Sequence, residues 1–290
     1  MQIFADENMP LVQQFFAELG NVTLINGRNV TAKQVKQADI LLVRSVTNVD
    51  ERLLGENNQL KFVGTATIGT DHVDTEYLNR KGIAFSSAPG CNAQSVVEYV
   101  LSSLWILAER YQWQLSDKTI GIVGVGNIGS RLALALKALN MKVLLCDPLR
   151  AEQEPGFVHT PVETLFATAD IISFHVPQNK ETVHYFNEAF LNQCVKPFYL
   201  LNLSRGKIVD TSVLVKGLKS KKIKGACLDV LEYEKSSFES FFDQEHSADF
   251  KYILNSEKVV MTPHVAGWTN ESYFKLSNVL ADKITAYFSL

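Results

Sequence analysis

The sequence has little that would mark a secreted, membrane-bound or nucleic-acid-binding protein. Its four cysteines lie far apart and form no Cys-x-x-Cys pair, so it predicts neither a disulfide framework nor a zinc site. No apolar run approaches the ~18 residues that span a bilayer, and the N-terminus lacks the pattern of a secretory signal. A formal net charge of −3 offers no cationic surface to nucleic acid or an anionic membrane. The sequence therefore predicts a soluble cytoplasmic protein without nucleic-acid, membrane or metal partners.

Two series of short apolar runs, separated by a long apolar helix, dominate the rest of the sequence. In the first series, strands are predicted at residues 1–5, 21–24, 40–43, 62–64 and 83–85, with a helix at 11–19. In the second, a helix at 95–111 precedes strands at 119–123, 142–146, 171–175, 199–202, 225–228 and 259–261. This alternation predicts an α/β fold with two Rossmann-like, doubly wound parallel-sheet domains and a cleft between them. A final helix is expected to return to the first domain, which would then comprise 1–95 plus 270–290, and the second domain 96–269.

A glycine-rich turn at the start of the second series predicts a dinucleotide site. The sequence TIGIVGVGNIG at 119–129 places Gly124, Gly126 and Gly129 in the spacing GxGxxG, after an apolar strand and before an amphipathic helix. The first glycine permits a tight turn, the second lets the backbone approach a pyrophosphate, and the third lets helix and strand pack closely. The N-terminus of the helix then offers unpaired N–H groups to the phosphates.

An acidic residue at the end of the next apolar run predicts which dinucleotide is bound. The carboxylate of Asp147 would accept hydrogen bonds from the ribose hydroxyls and would repel a 2′-phosphate. NAD is therefore favoured over NADP, although Arg150 stands close by in the sequence.

Three later segments carry polar side chains just after predicted strands, where open α/β sheets bind their ligands. NLSRGKIVD at 202–210 puts Arg205 on a turn, and VMTPHVAGW at 260–268 carries His264. Between them, CLDVLEYEK at 227–235 leads into a loop with three carboxylates, those of Asp229, Glu232 and Glu234. Oxidation of a hydroxy acid needs a base beside the hydroxyl and a cation for the carboxylate. A histidine and an arginine are suited to those two tasks.

The glycine-rich turn with Asp147 and the three later segments, in this order, resemble the motifs of the D-isomer-specific 2-hydroxyacid dehydrogenase family. The resemblance extends across nearly the whole chain. The resemblance implies an NAD-dependent dehydrogenase whose active site holds Arg205, Glu234 and His264. Glu234, rather than Glu232, matches the family's spacing from the arginine. Arg205 would bind the substrate carboxylate and 2-oxygen, and His264 would take the hydroxyl proton as hydride leaves C2. Glu234 would hold and stabilise the imidazolium.

The same resemblance implies the contacts with the cofactor. Asp229 is expected to reach the nicotinamide end, whereas His175, after a buried strand, is interpreted as structural. The expected NAD-binding residues are Gly124, Gly126, Asn127, Ile128, Gly129, Asp147, Val176, Leu203, Ser204, Asp229 and Gly267.

Motifs in the first ninety residues narrow the resemblance to one group within the family. FADENMP at 4–10, VRSVT at 43–47, KFVGTATIGTDHVD at 61–74 and APGCNA at 88–93 carry this likeness. Members of that group oxidise 4-phospho-D-erythronate to 2-oxo-3-hydroxy-4-phosphobutanoate, on the way to pyridoxal 5′-phosphate. By this resemblance Ser45 and Thr67 would contact the substrate, and Arg44 would help to bind its distal phosphate. Trp268 would stand where the relatives usually carry tyrosine.

Two departures leave other functions open. Members of the group usually have an additional C-terminal dimerisation domain beyond the length of this sequence, and Lys235 stands where proline is common. The alternatives are a D-2-hydroxyacid dehydrogenase acting on 3-phosphoglycerate or an unphosphorylated 2-hydroxy acid, and a non-catalytic NAD-sensing module. A homodimer is expected through the apolar helical stretch at 96–107, as in the family.

Overall fold

Two compact units make up the chain. A computed structural model describes residues 1–147, 158–232 and 247–289. Unit 1 comprises Met1–Asn92 and Trp268–Leu290, and unit 2 comprises Ala93–Gly267. Each unit contains its own sheet, and the strand pairs in both are parallel, which confirms the predicted fold class.

Unit 1 is a five-stranded sheet with short helices. Its strands are β1 (Gln2–Asp6), β2 (Asn21–Ile25), β3 (Ile40–Val43), β4 (Phe62–Thr65) and β5 (Ala84–Ser86). Its helices are α1 (Val12–Phe16), α2 (Ala32–Val35), α3 (Glu51–Leu54), α4 (Thr75–Lys81) and α11 (Asn270–Phe288). The strand order is β2-β1-β3-β4-β5.

The centre of the unit 1 sheet is covered on both faces. Every residue of β3 and β4 is buried, as expected for parallel strands with apolar layers on either side. On one of these faces α11 contributes Leu280 and Ile284, which pack with Ile3 of β1. The last helix therefore belongs to the core of unit 1, and the first unit is discontinuous in sequence.

Unit 2 has a six-stranded sheet. Its strands are β6 (Thr119–Val123), β7 (Lys142–Cys146), β8 (Ile171–Phe174), β9 (Phe198–Asn202), β10 (Ile223–Leu228) and β11 (Val259–Met261). Its helices are α5 (Ala93–Tyr111), α6 (Asn127–Ala138), α7 (Val162–Thr168), α8 (Glu188–Gln193), α9 (Thr211–Lys219) and α10 (Ala248–Leu254). Short 3₁₀ turns occupy Leu115–Asp117 and Gly206–Ile208. The strand order is β11-β10-β9-β8-β6-β7.

The register of this sheet aligns the carboxyl ends of its strands. Val123 pairs with Phe174, Phe174 with Asn202, and Asn202 with Leu228, which also pairs with Met261. The loops that carry the sequence motifs therefore leave the sheet along one edge. The strand order reverses at β6, which lies between β7 and β8, and such a reversal is where open α/β sheets bind ligands.

Helix α5 buries most of its apolar stretch within unit 2. Val96, Val100 and Leu104 face the core, whereas the side chains of Trp105 and Ile106 are exposed. The stretch at 96–107 is thus largely shielded by its own unit, and only a small apolar patch remains on its outer face. Within the described ranges, no helix combines the length and the apolar character needed to cross a bilayer.

Candidate active site

The glycine turn after β6 has the geometry that its spacing predicts. Gly124 has φ +96°, a left-handed conformation that disfavours other residues. A Cβ on Gly129 would lie 2.0 Å from the carbonyl oxygen of Gly124, so only glycine lets α6 begin this close to the turn. Gly126 caps α6, and Asn127 and Ile128 form its first turn. The resulting backbone concavity at a helix N-terminus fits the pyrophosphate of a dinucleotide.

Asp147 lies beside this turn and helps to shape it. Its carboxylate is buried and accepts a hydrogen bond of 2.7 Å from the backbone N–H of Val125, between the first two glycines of the motif. The carboxylate is therefore fixed next to the glycine turn, as a ribose-binding acid requires. Arg150, the nearby residue that left NADP open, lies outside the described residues.

Two backbone hydrogen bonds connect the loops after β9, β10 and β11, and a third bond fixes the turn after β9. The side-chain amide of Asn202 donates to the carbonyl oxygen of Arg205 (3.0 Å), and the Asn202 carbonyl accepts from the N–H of Asp229 (3.1 Å). The Asp229 carbonyl in turn accepts from the N–H of His264 (2.8 Å). The three motifs that were separate in the sequence are thus joined through their backbones, and the loops of Arg205 and His264 lie on either side of the loop after β10.

The turn that carries Arg205 is packed tightly against the loop after β10. A Cβ on Gly206 would lie 1.9 Å from the carbonyl oxygen of Leu231, so only glycine fits. Ser204 supports the same turn, because its N–H and hydroxyl both donate to the side-chain carbonyl of Asn202. The guanidinium of Arg205 donates to the Ser204 carbonyl (2.9 Å) and remains half-buried.

Glu232 has partners other than His264. One carboxylate oxygen contacts His184 Nε2 at 2.5 Å, and the other accepts from the N–H of Thr211 at 3.0 Å. The resemblance implies Glu234, rather than Glu232, as the partner of His264. Glu234 itself lies outside the described residues. The contact with Glu232 also gives His184 a carboxylate neighbour, which the sequence did not indicate.

Asp229 holds the loop that carries His264. Its buried carboxylate accepts hydrogen bonds from the N–H groups of Val265 and Ala266, each of 2.8 Å, and from the Thr262 hydroxyl at 2.6 Å. Burial raises the pKa of this carboxyl, and these donors and the charge of His264 partly offset the effect. The sequence predicted a contact between Asp229 and the nicotinamide. In the structure its two oxygens bind the loop that supports the histidine.

His264 adopts a left-handed backbone conformation, with φ +56°. Such a conformation costs a non-glycine residue on the order of 1 kcal/mol, although histidine tolerates it better than most. Its N–H is shared between the carbonyl oxygens of Asp229 (2.8 Å) and Thr262 (3.1 Å). The surrounding hydrogen bonds therefore fix the direction in which the half-buried imidazole leaves the loop.

Tyr99 of α5 reaches the same loop, which the sequence did not predict. Its hydroxyl forms a short hydrogen bond with the hydroxyl of Thr262. Burial raises the pKa of Tyr99, and the nearby charge of Asp229 contributes in the same direction. Thr262 stands in a motif that the sequence analysis singled out, but Tyr99 lies 163 positions away. Only the fold brings the two side chains together.

The remaining predicted cofactor residues lie along the same edge of unit 2. Val176, Leu203 and Ser204 are buried, and Gly267 is half-buried. His175 follows β8, and its Nε2 is 2.8 Å from the Ser173 hydroxyl. Its buried Nδ1 has no hydrogen-bond partner among the described residues, and burial lowers the pKa of this histidine to about 4. His175 is therefore a neutral side chain that belongs to the frame of unit 2.

The predicted substrate-binding residues lie in unit 1, after β3 and β4. Arg44 is half-buried and Ser45 is exposed. The Thr67 hydroxyl is 2.7 Å from that of Thr65 and donates to the carbonyl oxygen of Gly69 at 2.8 Å. His72 was not singled out from the sequence, but its Nε2 lies 2.9 Å from the Thr65 hydroxyl.

Trp268, the fourth predicted substrate residue, begins the C-terminal part of unit 1, where 57% of its surface is exposed. A group of three or more histidine, cysteine, aspartate and glutamate side chains that could hold a metal ion does not occur in the described ranges.

The chain is similar in sequence to known dehydrogenases. The family model "D-isomer specific 2-hydroxyacid dehydrogenase, NAD binding domain" matches residues 92–266. The chain is 43% identical over 287 residues to erythronate-4-phosphate dehydrogenase of Pseudoalteromonas translucida, covering 98% of this chain and 74% of that protein. It is 45% identical over 275 residues to the enzyme of the same name from Proteus mirabilis, covering 93% of this chain and 70% of that protein.

Solved structures of dehydrogenases are similar to this chain in fold. D-lactate dehydrogenase of Aquifex aeolicus, in complex with NAD and lactic acid, superposes with a TM-score of 0.84 at 28% identity. The superposition covers 100% of this chain and 96% of that one. NAD-dependent formate dehydrogenase of Staphylococcus aureus, in complex with NAD, gives a TM-score of 0.78 at 25% identity and covers 99% and 96% of the two chains.

Proposed function

The chain belongs to the D-isomer specific 2-hydroxyacid dehydrogenase family and is an NAD-dependent dehydrogenase, and from this premise we propose that it oxidises 4-phospho-D-erythronate at C2. The product would be 2-oxo-3-hydroxy-4-phosphobutanoate. The family and the cofactor, NAD, are those that the sequence predicted. The substrate is the proposed part. It is supported by the name of relatives that are 43% and 45% identical over nearly the whole chain.

The observation that carries the mechanism is the set of hydrogen bonds joining the Arg205, Asp229 and His264 loops. In the proposed reaction Arg205 binds the substrate carboxylate and the 2-oxygen, since its planar fork suits two acceptors at once. His264 takes the proton of the 2-hydroxyl as the C2–H bond breaks, and Glu234 stabilises the imidazolium that results. Bound NAD would supply the acceptor for the hydride that leaves C2. The glycine turn and Asp147 would hold the cofactor's phosphates and ribose, and Val176, Leu203, Ser204 and Gly267 would complete its site.

Arg44, Ser45, Thr67 and Trp268 are proposed to bind the substrate. The guanidinium of Arg44 would pair with the distal phosphate, and Ser45 and Thr67 would hydrogen-bond to the polyol acid. A substrate panel tests this proposal directly. NADH formation is measured with 4-phosphoerythronate, 3-phosphoglycerate, D-lactate and erythronate. The proposal requires the highest kcat/KM with 4-phosphoerythronate. Turnover of 3-phosphoglycerate without turnover of 4-phosphoerythronate would overturn the assignment.

A variant of Arg44 tests recognition of the phosphate. Arg44→Ala is expected to lower kcat/KM for 4-phosphoerythronate by about 10- to 100-fold, because a charge-assisted pair with phosphate is lost. It should leave kcat/KM for unphosphorylated erythronate nearly unchanged. Arg52→Ala, at an exposed arginine of the same unit, is the matched control and should behave like the wild type. Equal losses with both substrates would argue against a phosphate contact.

The proposal includes a homodimer that forms through α5. On this helix Trp105 is 58% exposed and Ile106 is 43% exposed, an apolar pair that association would cover. Sedimentation velocity should show a dimer for the wild type and a monomer for Trp105→Glu. Leu134→Glu replaces another exposed apolar residue of unit 2 and should leave the dimer intact. A wild-type monomer at micromolar concentration would refute this part of the proposal.

A cytoplasmic location is also part of the proposal. It is supported by the four cysteines, all of which are free and buried, as suits a reducing compartment. Cell fractionation with a tagged chain tests it.

A further inference from the structure

A chain of hydrogen bonds runs from helix α5 to the loop of His264. It begins at the hydroxyl of Tyr99, passes through the hydroxyl of Thr262 and ends at the carboxylate of Asp229. All three residues belong to unit 2, and their side chains are buried or half-buried. This hydrogen-bond chain therefore connects α5, which packs in the unit 2 core, to the base of the loop that carries His264.

The Asp229 carboxylate at the end of this hydrogen-bond chain determines which hydroxyl donates in each bond. The Thr262 hydroxyl donates its one proton to the Asp229 carboxylate, at 2.6 Å. It can then only accept from Tyr99, so the tyrosine hydroxyl must be the donor of the first bond. Phenylalanine at this position would have the same ring but no proton to give. The hydroxyl of Tyr99 therefore has a specific partner, and it is not an incidental polar end on a core residue.

Asp229 passes this restraint to His264 in two ways. Its carbonyl oxygen accepts the His264 N–H, and its carboxylate accepts the next two N–H groups, those of Val265 and Ala266. A shift of the Asp229 carboxylate would therefore change the position of the histidine.

We propose that Tyr99 is a positioning residue for His264, acting through Thr262 and Asp229. Tyr99 would touch neither substrate nor cofactor in this role. Its hydroxyl keeps Thr262 turned toward Asp229, and the carboxylate keeps the loop in the strained conformation seen at His264. This inference rests on the proposed role of His264 as the base, and it adds a residue of α5 to the groups on which the chemical step depends.

Removal of the Tyr99 and Thr262 hydroxyls tests this chain of hydrogen bonds. Tyr99→Phe removes the bond with Thr262 and is expected to lower kcat by about 3- to 10-fold, and Thr262→Val, which removes both bonds of the chain, should lower it at least as much. The dissociation constant of NAD should not change, because the glycine turn is not altered. Thr262→Ser, which keeps the hydroxyl, should retain the wild-type kcat. In the double variant, Tyr99→Phe should have no further effect, since Thr262→Val has already broken the chain.

Tyr111→Phe is the matched control for the tyrosine. It lies on the same helix, and its hydroxyl donates to the Lys224 carbonyl at 2.8 Å, outside the chain. This variant should keep the wild-type kcat. Additive losses for Tyr99→Phe and Thr262→Val, or an equal loss for Tyr111→Phe, would overturn the inference.

Hydrogen exchange separates this inference from the proposed function. In the protein without substrate, the amides of Val265 and Ala266 should exchange faster in Tyr99→Phe than in the wild type, because their acceptor is less firmly held. Faster exchange in a protein that fails to oxidise 4-phosphoerythronate would reject the substrate and retain the positioning role. Unchanged exchange together with unchanged kcat, on any hydroxy acid that the enzyme accepts, would reject the positioning role.

Discussion

At the scale of single residues, His264 shows how the fold places one reactive group. Few non-glycine residues adopt its left-handed backbone, and a loop free to relax would leave that conformation. The hydrogen bonds to Asp229 and Thr262 prevent this relaxation. A base that must meet a hydroxyl proton within hydrogen-bonding distance gains from such a restraint, because small displacements reduce the rate steeply.

Replacement of His264 tests its assignment as the base. His264→Ala is expected to lower kcat by about 10²- to 10⁴-fold, because no other group on the loop can take the proton. NAD affinity should remain nearly unchanged, since the glycine turn lies elsewhere in the sheet edge. Stopped-flow or steady-state NADH formation, together with NAD titration, measures both quantities.

His264→Gln is the matched variant for that measurement. Glutamine keeps a polar side chain of similar reach but cannot act as a base at neutral pH, so its kcat should fall as far as that of His264→Ala. A glutamine variant with near wild-type turnover would show that the histidine only binds the substrate, and the proposed proton transfer would have to be abandoned.

At the scale of elements, the turn after β9 depends on a close backbone contact. A Cβ on Gly206 would meet the carbonyl carbon of Leu231 at 2.1 Å and the N of Glu232 at 2.6 Å, and neither can move without moving the loop after β10. Gly206→Ala should therefore displace the Arg205 turn and reduce kcat/KM by at least about 10-fold. Steady-state kinetics at several substrate concentrations measures the loss.

Gly217→Ala provides the comparison for Gly206→Ala. In α9 the new Cβ would meet side chains and no backbone of another loop, with Cδ1 and Cγ1 of Ile223 at 2.6 and 2.8 Å and Cδ1 of Leu191 at 3.4 Å. Alanine also favours a helix over glycine by about 1 kcal/mol. Gly217→Ala should thus keep the wild-type kcat/KM. A Gly206→Ala variant that is as active as Gly217→Ala would show that the turn can shift without affecting the site.

The sheet was predictable because buried parallel strands are continuous apolar runs between turn residues. The predicted strands at 119–123, 142–146 and 259–261 coincide with β6, β7 and β11. The short helices of unit 1 were not predictable in the same way. The pattern at 11–19 indicated a full helix, whereas α1 covers only Val12–Phe16. One turn of helix leaves too short a periodic pattern to fix its ends.

The site was predictable in part, for a physical reason. Parallel strands end at one edge, so motifs that follow strands come close together without any knowledge of the loops. The sequence could not show how Asp229 is used, because hydrogen bonding to the N–H groups of Val265 and Ala266 depends on the path of the backbone. Nor could it show Tyr99, which sits in an apolar helix and meets Thr262 only in the folded chain.

At the scale of the whole molecule, buried titratable groups determine how stability depends on pH. Hydrogen bonds and charges lower the pKa of Asp170 and Asp210 in spite of burial, so both favour the folded state above the ordinary aspartate value of 3.8 and lose that contribution only below it. Asp229 acts in the opposite sense, because burial raises its pKa. Between pH 6.5 and 4, His175 acts against the folded state, because burial lowers its pKa.

The neutral state of His175 predicts a loss of stability in mild acid. Burial lowers its pKa from 6.5 to about 4, so the unfolded chain binds a proton below pH 6.5 that the folded chain refuses until pH 4. The stability that this group contributes is complete above pH 6.5 and declines toward pH 4, by about 3 kcal/mol in total.

Urea unfolding of the NAD-free chain at pH 7, 6 and 5 should show this decline, and His175→Gln should flatten it. A wild-type chain as stable at pH 5 as at pH 7, or a His175→Gln variant with the same slope, would mean that His175 takes up its proton in the folded state.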